Sequence, residues 1–92
     1  MDRKKLAALV GGEARLNRAM QNNNGSVVVV CGSDVSPEVF DKFDQTGVAI
    51  AAPDDRGGFN LGGQWVYNHP GPIFLVGNNA QGAAMPQHAL NV

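Results

Sequence analysis

The chain has 92 residues, 43 % of them hydrophobic and 16 % charged, with a formal net charge of −1. That length accommodates one domain with one modest core, and the charged fraction falls below the roughly 25 % of typical globular domains. A single cysteine, Cys31, excludes an intramolecular disulfide and fits a reducing, cytoplasmic location, while the lack of an apolar run of about 18 residues speaks against a transmembrane helix and a membrane role.

Residues 2–10 are predicted to form a short helix that Asp2 can cap, with Leu6, Leu9 and Val10 at helical spacing. The start is basic, but its apolar stretch is short and runs into Glu13 and Arg15, which argues against a signal peptide. Gly11-Gly12 interrupts the pattern. Two adjacent glycines cost a helix interior about 2 kcal/mol relative to alanine, so the helix ends there or carries a weak point. The pattern resumes over 13–20 with Ala14, Leu16, Ala19 and Met20, and the Asn- and Gly-rich stretch 21–25 is a strong stop.

Charge is divided unevenly along the chain. Arg3, Lys4, Lys5, Arg15 and Arg18 outweigh Asp2 and Glu13 in residues 1–24, giving +3. Lys42 and Arg56 are outweighed by Asp34, Glu38, Asp41, Asp44, Asp54 and Asp55 in the rest, giving −4. A basic segment that packs on the acidic remainder, in cis or across a dimer, ranks above a nucleic-acid arm, because five basic residues without an aromatic make a thin footprint. A helix-turn-helix with Arg15, Asn17 and Arg18 on its second piece is the sharper alternative. It ranks below a plain helical hairpin, since the rest of the chain reads as β-rich.

Val27–Val30, extended by Cys31, is a run of β-branched residues with no alternation, the pattern of a central strand covered on both faces. Ser36-Pro37 starts a second helix, with Glu38 at its positive end; Val39, Phe40 and Phe43 form its apolar stripe and Gly47 its stop. "VAIAA" at 48–52 is another strand, and a right-handed crossover would set it parallel to the first. The glycine-rich 53–63 reads as a mobile loop. "QWVYN" at 64–68 and "IFLV" at 73–76 read as the two strands of a hairpin, and 77–92 as a tail or a strap. The fold class is therefore α/β or α+β in one domain. A helical segment (1–22) is followed by a β-α-β unit and a hairpin (26–76) in a roughly four-stranded mixed sheet, with helices on one face. A chain this short has only the C-terminal strap or a second subunit to cover the other face of a central Val27–Val30, which is the physical argument for a homo-oligomer.

Chemistry-bearing residues are few. A strand, a glycine turn and a helix start make a generic anion site, lined by Gly32, Ser33, Asp34 and Ser36. Both common phosphate-loop patterns are absent, however, and a plain turn before a capped helix is the simpler reading. Asp54, Asp55 and Arg56 could clamp a substrate or could merely turn the chain. If there is a ligand site, it belongs between the 32–36 and 54–58 loops, at the carboxyl ends of parallel strands. Cys31 lies within a strand and is better read as a buried, inert thiol than as a nucleophile. No zinc or calcium spacing appears, and nothing in the chain calls for a cofactor. Trp65 and Tyr67 share one face of their strand. That face is core or, if it points outward, an interface. These observations favour a small non-enzymatic interaction module, of adaptor or inhibitor type, that associates with a protein partner or with itself. A ligand-binding protein or enzyme using the two loops is the alternative, and a nucleic-acid binder ranks below both.

Overall fold

The computed structural model describes residues 3–22, 27–35 and 48–92. The helix expected from Ser36 to Gly47 lies outside the described residues. Among the described residues, three helices and six strands follow in chain order: α1 (Arg3–Leu9), α2 (Glu13–Asn22), β1 (Val27–Cys31), β2 (Val48–Pro53), β3 (Phe59–Leu61), β4 (Gln64–Val66), β5 (Ile73–Val76), α3 (Asn78–Gly82) and β6 (Leu90–Asn91). The strands form one mixed sheet in the order β4-β3-β2-β1-β5-β6.

The helical segment breaks at the glycine pair. The Gly12 N–H donates to the Ala7 carbonyl at 2.7 Å, closing the end of α1. The Gly12 carbonyl in turn accepts from Leu16 N–H at 3.1 Å and opens α2. Leu6, Ala7, Val10 and Leu16 are buried, so both helices turn apolar side chains to the sheet.

The valine run is the centre of the sheet. β1 is flanked by β2 and by β5, both parallel to it, with Val28 opposite Ala49 on one side and Ile73 on the other. All five of its residues are buried, and alternate side chains serve two separate cores. Val27, Val29 and Cys31 pack with Val48, Phe74 and Val76 under the α1–α2 residues. Val28 and Val30 pack with Ala51, Phe59, Ile73, Leu75 and Ala80, and Met85 and Ala89 close over them.

Three expectations need correction. The sheet has six strands rather than four, because the glycine-rich loop holds β3 and the strap supplies β6. The hairpin is β3–β4 rather than 64–76. Phe59 pairs with Val66 and Leu61 with Gln64, antiparallel, across a turn in which Gly62 and Gly63 have φ of +57° and +85°. Two positive φ values in a two-residue turn match the twist of the strands it joins. β5 then leaves β4 and inserts beside β1. Its four apolar residues are all buried, and an edge position in a hairpin could not have buried both of its faces. Finally, helices are not confined to one face: α3 joins the second core through the buried Ala80.

The strap therefore provides the second wall. Gly58 N–H donates to the Ala84 carbonyl at 2.6 Å and Val92 N–H to the Leu75 carbonyl at 2.9 Å. A ring nitrogen bond, His88 Nε2–H to the His69 carbonyl at 2.7 Å, pins it further. With Val28 and Val30 at most 1 % exposed within a single chain, burial of β1 no longer requires a second subunit. Among the described residues no helix is long and apolar enough to cross a membrane.

Candidate functional site

The carboxyl ends of β1, β2 and β5 deliver three loops to one end of the sheet. After β1 come Gly32, Ser33 and Asp34. Gly32 is buried, and its N–H extends the ladder to the Val76 carbonyl at 2.8 Å. The Asp34 carboxylate accepts from the Asn78 N–H with both oxygens, at 3.1 and 3.2 Å, and Asn79 Nδ2 donates to Ser33 Oγ. A bare turn of this kind offers its amides to an anion. Here the chain's own carboxylate occupies the Asn78 amide. Ser36 lies outside the described residues.

After β2, Asp54 organises a closed turn. Its carboxylate accepts from Arg56 Nε at 3.0 Å, from Arg56 Nη2 at 3.2 Å, from the Arg56 backbone N–H at 2.9 Å and from Asn60 Nδ2 at 3.1 Å. The Arg56 side chain, then its backbone amide, holds the Asp54 carboxyl well below the usual carboxylate range, and the same pairing pushes the Arg56 guanidinium up. Asp54 N–H to the Gly58 carbonyl and Gly57 N–H to the Asp54 carbonyl close the turn from the backbone side. Of the segment read as a mobile loop, residues 54–58 form a hydrogen-bonded turn leading straight into β3.

Between these loops lies an open cleft of about 260 Å³, lined by Pro53, Asp54, Asp55, Asn79, Gly82 and Ala83. Of the residues singled out from sequence, Asp54 and Asp55 reach it. Ser33 is linked to it through Asn79, whereas Gly32 and Arg56 are not part of its lining. Asn79 and the Gly82-Ala83 pair belong to the 77–92 segment that reads as a tail; a glycine directly after an apolar strand, followed by two asparagines, is the local cue for a structured turn there. Among the described residues the cleft offers carboxylates and an amide, without a nucleophile beside a base. Among the described residues no three metal-ligating side chains cluster.

Cys31 is buried in the first core, and desolvation pushes its thiol up to about 11. Since the thiol is held neutral, its contribution to stability is complete below the ordinary thiol range near pH 9 and is lost as pH rises through about 11. We expect Cys31 to resist a disulfide reagent in the native protein and to react at once in denaturant. An alkaline decline in thermal midpoint between about pH 9 and 11 should be reduced in Cys31→Val.

Arg56 connects this end of the molecule to a second surface. Its guanidinium lies over the Trp65 ring, 5.1 Å from the centroid, and Trp65 Nε1–H donates to the Gly57 carbonyl at 2.8 Å. Tyr67 lies alongside, ring centroids 6.3 Å apart and tilted by 39°. Because Val66 is drawn to the second core opposite Phe59, the aromatic face points outward. Trp65, on the edge strand of the sheet, is 46 % exposed, and Tyr67, directly after that strand, is 48 % exposed. No known protein family matches the chain, and neither a curated protein nor a solved structure is similar to it.

Proposed function

We propose that the chain is a small non-enzymatic interaction module, of adaptor or inhibitor type, that docks protein through the β4 edge and the Trp65–Tyr67–Arg56 platform. The observation that carries this reading is an exposed aromatic pair held rigid on an open sheet edge. The indole is fixed by its bond to Gly57 and by the guanidinium above it. Trp, Tyr and Arg are the residue types that dominate interface energetics, and a side chain already fixed loses little entropy on docking. An edge strand adds unpaired backbone groups that another strand can complete.

Self-association through this surface is the form of the proposal tested first. Trp65 is the only tryptophan in the sequence, so its emission reports on the surface directly. Sedimentation from micromolar to millimolar concentration is expected to give a mass above one chain, with a blue-shifted emission. Trp65→Ala should return the protein to a single chain with its melting midpoint little changed. A single-chain mass throughout, with invariant emission, overturns the self-associating form.

A second reading, ligand binding in the cleft, draws support from its position at the carboxyl ends of parallel strands. Its lining suits a cation or an amine rather than the phosphate that a bare turn would take, since Asp34 already occupies the Asn78 amide. Thermal-shift screening with polyamines and nucleotides separates the two chemistries.

A further inference from the structure

The basic segment is absorbed by neither reading. On α2 the residues turned to the core are Leu16, with Ala19 and Met20 beside it. The opposite stripe is Ala14, Asn17, Arg18 and Gln21, all exposed, with Arg15 on its flank. This outer stripe holds no acidic residue and no large apolar one; Glu13 lies to its side, in the first turn. α1, joined to α2 by the Gly11-Gly12 turn, exposes Lys4 and Lys5. The core contacts of both helices are apolar, and Lys4, Lys5, Arg15 and Arg18 are all exposed. Arg15 keeps its guanidinium over the Phe74 ring at 5.3 Å, leaving Arg18 as the cation at the middle of the outer stripe.

We propose that the outer face of α1–α2 is a duplex-DNA contact surface, with α2 as the element presented to the major groove and Lys4 and Lys5 directed to phosphates. The argument is one of charge and shape. Asn, Gln and Arg are the side chains that hydrogen-bond base edges, and small residues such as Ala14 allow close approach. A 10-residue helix is about 15 Å long and about 10–12 Å across, which fits a groove about 12 Å wide. Phosphate neutralisation supplies affinity without any demand on sequence.

The test is fluorescence anisotropy with a labelled random-sequence duplex of two to three helical turns, from low to near-physiological salt. Contacts by Lys4, Lys5 and Arg18 would give a slope of about −2.7 in log affinity against log salt, hence roughly 40-fold weaker binding when salt rises fourfold. Arg18→Ala should reduce that slope by about 1, Arg18→Glu should abolish binding, and Lys4→Glu should weaken it independently. Melting curves of all three should match the parent, because the substituted side chains are exposed. Trp65→Ala should bind DNA as the parent does, which separates this surface from the aromatic platform. Absence of binding at low salt, binding that survives Arg18→Glu, or preferential displacement by single-stranded DNA or RNA overturns the proposal.

Discussion

Phe59→Ala and Phe74→Ala are each expected to lower the free energy of unfolding by about 3–5 kcal/mol. The two rings are fully buried but on opposite sides of the sheet. Phe74 packs with the α1–α2 residues and Phe59 with the strap residues. Each truncation removes transfer energy and leaves a cavity that its own wall cannot refill. With no shared partners the two losses should be nearly additive. A domain of this length has about 5–14 kcal/mol to lose in total, so the double variant should be largely unfolded at room temperature. Urea titrations of the three variants check this. A near-neutral Phe59→Ala would mean that the second wall is not closed by the chain itself, and it would restore the case for a second subunit covering that face.

Gly58→Ala is the second large effect. Gly58 has φ of +72°, and a Cβ there would stand 2.5 Å from the Val66 carbonyl oxygen and 3.0 Å from the Tyr67 Cα, both backbone. The left-handed conformation alone costs an alanine about 1–2 kcal/mol. The collision adds about 1–3 kcal/mol, since the β4 backbone must move to relieve it. Gly62 is the control: its φ is +57°, but nothing lies within 4 Å of the Cβ position, so Gly62→Ala should show only the conformational part. Denaturation midpoints should therefore fall about twice as far for Gly58→Ala, with a change in Trp65 emission that Gly62→Ala does not produce. Equal midpoints would mean that β4 does not pass over Gly58 as described.

Much of the frame was legible in the residues. Four valines without alternation require protein on both sides, and β1 has it. The same rule, applied evenly, would have placed "IFLV" beside β1 instead of in a hairpin, because β5 is as uniformly apolar as β1. The β3–β4 hairpin was also available, as a glycine pair between two short stretches that alternate. The four glycines of 53–63 give that stretch the composition of a loop and mask the pattern. The strap was harder. Met85 and Ala89 carry no periodic signal, and their role depends on a face that exists only once Phe59, Ile73 and Leu75 have come together. At the site, Asp54 and Asp55 stand out in the sequence and Asn79 does not, since a lone amide announces nothing until β5 is known to end next to β1. That Trp65 and Tyr67 share a face follows from strand geometry. Which way that face points was decided by Val66 packing on the core that Val28, Val30, Ile73 and Leu75 build, a long-range fact that no local pattern contains.

The parallel pairing of β1 with β5 has a kinetic consequence. Val28 meets Ile73, 45 positions further along the chain, so the middle strand acquires its second neighbour only after a large loop closes. Ordering such a loop precedes any reward from the contact, which slows collapse to the native topology. Until the segment around residues 84–92 docks, a sticky valine surface stays open to water and to other nascent copies. Aggregation during refolding should therefore rise steeply with protein concentration, even though the finished molecule hides that surface completely.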